Sequence, residues 1–283
     1  MNARSQSPHP ALRPPAGTAW GDVVWVAGFP VLLADADGWL GEVLDIEAHN
    51  DLAETSLQGV LSFARYVPQL AEPDAPLRLA VRRALAHHRG DVALELGCSI
   101  GADVRALRDV AASVVALDVW LPVLRLARAQ LDGQPIPWPR RIEGRSFQLD
   151  EPRSFPAVSD VTLVVGDAQD IPLHDASVDI VLALNVIDNV PSPRMVLDEL
   201  ERVLRPGGLL VLGSPFAWQE AITPVEEQLG GVPGHQHLDT PSVLPELLSG
   251  YDILTREDVP WVLPDHTRAS FHYLVHLVAA RKR

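Results

Sequence analysis

Glu95-Leu96-Gly97-Cys98-Ser99-Ile100-Gly101-Ala102-Asp103 decides the fold. Val92 to Leu96 is short and apolar, as a buried strand is, and Ala102 to Val110 has the spacing of a helix. Between them Gly97 and Gly101 permit positive φ and let a ligand approach the backbone closely. The helix start beyond offers unpaired N–H groups and a positive dipole end, which suits a carboxylate or a phosphate. Glycine bends between strand and helix are common, so this one leaves ligand binding and a plain turn both open.

Working outward, the same rhythm repeats. Val114–Asp118, Val161–Val165, Val178–Leu184 and Leu209–Gly213 read as strands. Leu121–Leu131, with Pro122 tolerated in its first turn, and about Pro193–Leu204 read as helices. That alternation predicts a parallel sheet covered on both faces. Asp118 ends the second strand, roughly 20 residues past the bend, the spacing at which an acid accepts hydrogen bonds from ribose hydroxyls. A cap for the next helix is the competing reading. Asp167 follows the third strand, placed to accept from an amino group such as that of adenine, with Val119 and Ala168 as apolar flanks for a flat base. Asn185 and Asp188 close the fourth. Arg205-Pro206-Gly207-Gly208 is a turn into the fifth and marks register.

In this order and spacing the five features resemble the class I S-adenosylmethionine (SAM)-dependent methyltransferases over about Asp91 to Pro215. The resemblance implies a Rossmann-like α/β sheet of seven mostly parallel strands with an antiparallel last strand. It also implies SAM as cofactor, with Glu95, Gly97, Ser99 and Gly101 lining its methionine moiety, Asp118 its ribose and Asp167–Ala168 its adenine. Ser99 departs from the glycine many members carry. Cys98 and Asn185 belong to the same constellation; Cys98 is a packing residue here, since no neighbouring base is apparent. A Gly-x-Gly-x-x-Gly dinucleotide fingerprint is absent.

A narrower resemblance runs from about Asp91 to the C-terminus. Asn185-Val186-Ile187-Asp188, Ser214-Pro215-Phe216-Ala217-Trp218, Thr223-Pro224-Val225-Glu226, Asp258-Val259-Pro260-Trp261 and Arg268 are similar to the methyltransferase domain of ovothiol-type synthases, the 4-mercaptohistidine N1-methyltransferases. It implies a small-molecule acceptor with an imidazole or amino-acid-like nitrogen; an O-, S- or C-methyltransferase of a secondary metabolite and a non-catalytic SAM-binding protein are the alternatives. Asp188 is the candidate general base or acceptor orienter, against a helix-cap reading. Trp218 is the candidate stacking surface, against a core tryptophan. Glu226 and Arg268 are candidates for an acceptor's ammonium and carboxylate, against a surface ion pair.

Composition narrows the partners. Asp and Glu number 37 against 23 Lys and Arg, a net charge of −14, which opposes nucleic acid because affinity for it is carried by Lys and Arg on phosphates. Cys98 is the single cysteine, so no intrachain disulfide forms and a cytoplasmic monomer or homodimer is expected. No apolar run reaches the ~18–20 residues of a membrane span. His87-His88 lack the further ligands of a metal set, and His235, His237 and His266 have only their spacing to suggest one, so none is expected.

The expected organisation is a disordered leader over residues 1–17, a cap over 18–90 and the methyltransferase domain over 91–283, with a polar, proline-rich insertion at about 133–160. Within the cap, Asp22–Leu33 reads as a short hairpin or two edge strands, broken at Gly28-Phe29-Pro30. Asn50 or Asp51 to about Tyr66 and Ala75–His88 read as helices. Two tail strands are expected near Tyr251–Glu257 and Phe271–Ala280.

Overall fold

A computed structural model describes residues 8–41, 64–231 and 239–283. The helix expected from Asn50 lies outside these residues except for 64–66, which are helical, and His235 and His237 lie outside them too. The strands and helices follow the sequence in this order: β1 (Val24–Val26), β2 (Phe29–Val31), α1 (Pro76–Leu85), β3 (Gly90–Leu96), α2 (Val104–Arg108), β4 (Ala111–Asp118), α3 (Leu121–Leu131), β5 (Ile136–Glu143), β6 (Ser146–Arg153), β7 (Val161–Val165), β8 (Val178–Leu184), α4 (Pro193–Val203), β9 (Leu204–Ser214), α5 (Thr240–Leu247), β10 (Tyr251–His266) and β11 (Ala269–Lys282).

Among the described residues one sheet has the order β1-β2-β7-β4-β3-β8-β9-β11-β10. Strands β7, β4, β3, β8 and β9 pair in parallel, and β11 runs antiparallel to both β9 and β10. These seven are the expected Rossmann-like sheet with its antiparallel last strand. The β1–β2 hairpin extends it, because Val31 pairs with Val165 of β7. Part of the expected N-terminal cap is therefore sheet, and its turn falls at Ala27-Gly28, both at positive φ, rather than at Gly28-Phe29-Pro30.

Parallel strands covered on both faces must be apolar throughout. Leu94, Leu96, Val115 and Leu117 pack into one core layer, and Ala93, Val114, Ala116 and Leu182 into the other. A third cluster joins α3 to the segment before α1 and to the insertion: Val67, Ile100, Val123, Leu126, Ile136 and Trp138. It explains why residues 133–160 are not the irregular polar insertion expected. Residues 136–153 form a two-stranded ribbon, β5–β6, whose Pro137 and Pro139 have no further strand to bond. Burying Ile136 completely contributes about 1.5–3 kcal/mol to docking it.

Residues 8–17, expected as disordered leader, are also held. Ala11 and Leu12 are buried. Arg13 donates from Nε to Leu173 O (3.1 Å) and from Nη2 to Asp170 Oδ1 (2.6 Å). No helix among the described residues is long and apolar enough to cross a membrane.

Candidate functional site

Strand β3 ends in the bend first singled out. Gly97, Ser99 and Gly101 all have left-handed φ, at 66°, 47° and 67°. At Gly97 a Cβ would stand 2.5 Å from Val186 Cγ2, so only glycine fits. Ser99 carries its Cβ there at a cost of roughly 1–2 kcal/mol. Its N–H donates to Asp118 Oδ2 at 2.8 Å, tying the strained residue to the next strand tip. Gly101 turns the other way: a Cβ there would meet Gln130, Leu131 and Ala127 of α3. It is a packing glycine, and the expectation that it lines the cofactor site is corrected.

The bend opens on a cavity of about 1500 Å³ at the carboxyl edge of β3, β4, β7 and β8, where ligands of open α/β sheets bind. A single-ligand pocket is roughly 300–1,000 Å³, so there is room for two reactants. Of the expected cofactor residues, Glu95, Gly97, Cys98, Ser99, Asp118, Val119, Asp167, Ala168 and Asn185 line it.

Each acid there has a different environment. Glu95 is buried and its Oε2 has no hydrogen-bond partner. Burial first, then the Asp103 carboxylate, pushes it well above the usual glutamate range, partly offset by Arg78 and the Asp103 N–H. Arg78 itself pairs with Asp103. Asp118 accepts from the N–H groups of Ser99 and Trp120, the latter at 2.9 Å to Oδ1. Burial raises its carboxyl while these N–H groups hold it down. An ionised carboxylate has about four lone-pair sites, so two remain for a ligand. Asp167 Oδ1 accepts from the Gln169 N–H at 2.8 Å, and the residue lines the cavity. Between the two strand tips, Val119 is 51% exposed and Ala168 half-buried. Cys98 is buried, and burial followed by Asp118 and Glu95 raises its thiol, so it is packing and not a nucleophile.

Asn185 adopts φ 56°, and its buried Oδ1 has no partner. Asp188 is 1% exposed and lines the cavity. Its Oδ2 accepts from the Ala217 N–H (2.9 Å) and its Oδ1 from Asn189 Nδ2 (3.3 Å). It caps no helix; it fastens the loop after β9.

The expected acceptor residues are elsewhere. Trp218 stacks on Phe216 (centroids 6.2 Å apart) against the core, Glu226 is exposed within the short 3-10 turn Val225–Glu227, and Arg268 is exposed at the β10–β11 tip. None of the three lines the cavity. The facing wall comes instead from Arg65, Tyr66, Arg141, Trp261 and Tyr273. Trp261 ends the Asp258-Val259-Pro260-Trp261 stretch of the narrower resemblance; the other four carry no local motif. Trp261 and Tyr273 stand where β10 and β11 run past the end of β9, whose Ser214 pairs with His276. Burial pushes the Tyr66 phenol up; the Arg65 guanidinium opposes this, and Tyr273 and Asp118 add to the rise.

Residues 94–212 match the family model described as a methyltransferase domain. The chain is 32% identical over 183 residues to an uncharacterized 37.1 kDa protein in transposon TN4556 of Streptomyces fradiae, covering 62% of this chain and 46% of that protein. It is 34% identical over 135 residues to a demethylmenaquinone methyltransferase of Clavibacter sepedonicus, covering 48% and 45%. The chain thus spans somewhat under half the length of these curated relatives. A chain from a complex containing the Haloferax volcanii Trm112 methyltransferase activator superposes with a TM-score of 0.51 at 18% identity, over 79% of this chain and 97% of that one, a likeness of fold.

Proposed function

We propose that this chain, a Rossmann-like protein of the SAM-dependent methyltransferase class over residues 94–212, transfers a methyl group from SAM to a small molecule bound in the same cavity. One observation carries the reading: Glu95, Asp118 and Asp167, at three neighbouring strand tips, face one cavity beside a bend that only glycine can make at position 97.

The residues fit that cofactor. The unpartnered Glu95 Oε2 is a buried anion site for the ammonium of a methionine moiety. The two remaining lone-pair sites of Asp118 suit a ribose diol. Val119 and Ala168 leave an apolar slot beside Asp167 for adenine. When bound, SAM supplies an activated methyl on a sulfonium. The chain supplies alignment and exclusion of water, worth ~7–11 kcal/mol of a bimolecular barrier.

Asp188 acts in this reading as an orienter of the acceptor side. It holds the Ala217 N–H and with it the loop after β9, another wall of the cavity. With both oxygens engaged, by the Ala217 N–H and Asn189 Nδ2, it suits a nucleophile that attacks through a free lone pair, such as a neutral imidazole or amine nitrogen. That favours the imidazole or amino-acid-like acceptor over an alcohol or carbon acid. The net charge of −14 and the single buried Cys98 go with a cytoplasmic, small-molecule role and not with a nucleic-acid substrate.

The test is incubation with methyl-labelled SAM and a panel of amino acids, imidazoles, phenols and thiols. Label is expected on a nitrogen acceptor; transfer to none of the panel, with SAM bound, favours a non-catalytic SAM-binding protein. Asp188→Asn keeps one accepting oxygen, and is expected to raise the acceptor KM several-fold and leave kcat within a factor of about ten. A general base would instead lose ~10²–10⁴-fold in kcat.

A further inference from the structure

The described cavity lining is mostly acidic: Glu95, Asp118, Asp167 and Asp188 stand at the strand ends that form its floor, Asp103 pairs with Arg78, and Glu72 and Asp74 precede α1, whereas Arg65 and Arg141 are the remaining cations and stand with Tyr66, Trp261 and Tyr273 on the wall. Both guanidinium groups bond one oxygen of one carboxylate: Arg65 Nη2 and Arg141 Nη1 lie 2.7 and 2.8 Å from Asp265 Oδ1. Asp265 does not line the cavity, so it anchors the pair from behind. Among the described residues, two positive charges are thus balanced by one negative charge.

The wall is also braced. The Thr267 N–H donates to Arg141 O (3.1 Å), and the Thr267 hydroxyl to Ile142 O (2.9 Å), so the β10–β11 tip is stitched to the β5–β6 ribbon. Arg65 lies 4.9 Å over the Phe271 ring, and Arg141 Nε donates to Gly144 O. Beside the two arginines, Trp261 and Tyr273 are cross-strand partners with ring centroids 5.2 Å apart, both on the cavity. Tyr66 completes an aromatic surface.

We infer that this wall is the acceptor subsite and that it takes a flat aromatic molecule bearing one carboxylate, the ring against Trp261 and Tyr273 and the carboxylate on Arg141 and Arg65. Guanidinium forks match carboxylates in a bidentate manner, and aromatic faces pair at centroid separations of ~4.5–7 Å. The surplus of a single positive charge suits a carboxylate better than a phosphate monoester, which carries about −1.5 to −2 at pH 7. The acidic floor repels the same anion and steers it to the far wall, leaving the floor to the cationic cofactor. The inference rests on the methyltransferase reading for that cofactor half.

The probes are indole-3-acetate and indole-3-acetamide, equal in shape and different in charge. Each is titrated into the intact protein saturated with S-adenosylhomocysteine (SAH), the demethylated cofactor, whose own binding is measured first. The acetate is expected to bind about tenfold or more tightly than the amide, the factor of one charge-assisted hydrogen bond. Arg141→Gln should erase that preference and Arg141→Lys retain part of it, both with SAH affinity within twofold of wild type. Tyr273→Leu should weaken both probes alike. Equal affinities, failure of both probes to bind, or a preference that survives Arg141→Gln overturns the inference while leaving the cofactor reading standing. Failure of SAH itself to bind overturns both.

Discussion

Asp118→Ala is expected to bind SAH on the order of 10²–10⁴-fold more weakly than wild type while remaining folded. Two hydrogen bonds from a ribose diol to a charged acceptor are worth about 1.5–3 kcal/mol each, which sets the range. The loss does not stop at the ribose. Asp118 also holds the N–H groups of Ser99 and Trp120, and Ser99 sits at φ 47° only because something fixes it. With the carboxylate gone the bend relaxes toward ordinary φ and the backbone lining the cavity shifts. Asp118→Asn separates these contributions: it keeps one accepting oxygen and loses the charge, so its affinity should fall between the two. Titration calorimetry gives the affinities, and a cooperative thermal transition shows that the variant is folded. An alanine variant that binds like wild type removes Asp118 from the site.

Glu95→Gln is expected to stabilise the cofactor-free protein and to weaken SAH binding by about 10–100-fold, the two effects having one cause. Glu95 is buried with an orphaned oxygen, and its carboxyl is raised well above the usual range, chiefly by burial. The folded state therefore holds a proton that the unfolded state gives up. Stability falls as pH rises from the ordinary glutamate range toward the raised value. The amide cannot ionise and escapes this penalty, so the melting temperature of the variant should exceed that of wild type by a margin that widens with pH over that interval. Binding a cation beside Glu95 reverses the preference and expels the proton. The heat of SAH binding to wild type should then depend on the buffer's ionisation enthalpy, and that dependence should shrink in the variant. A variant that melts lower at every pH and binds SAH normally makes Glu95 a structural acid.

Much of this site was legible from the chain alone because it is local. The glycines, Glu95, Asp118, Asp167 and Asn185 each stand at the end of a short apolar run, and parallel sheets bring such ends to one edge. Helix Leu121–Leu131 and strands Val161–Val165 and Val178–Leu184 fall where periodicity puts them. Helix α5 carries no clear periodic signal although Asp239 caps it, its Oδ1 accepting from the Ser242 N–H, because its apolar positions are few and Pro245 interrupts it.

The acceptor wall was not legible, for a geometric reason. Whether Trp261 faces the cavity depends on its pairing with Tyr273 and on how far β10 and β11 run beyond β9, neither of which a two-residue repeat records. Arg141 reaches the site only through the β5–β6 ribbon, whose prolines suggest irregular chain. Conversely Trp218, Glu226 and Arg268 lie in segments with a family-like pattern, yet their side chains point to the core or to solvent outside the cavity. Spacing locates a loop; the register of distant strands decides which side of it meets a ligand.

The most direct test is a crystal structure of the intact chain grown with SAH. Ribose hydroxyls are expected within hydrogen-bond reach of Asp118, the base between Val119 and Ala168 with its amino group on Asp167, and the amino-acid end at Glu95. Density for SAH away from these carboxylates, or none at saturating concentration, contradicts this placement.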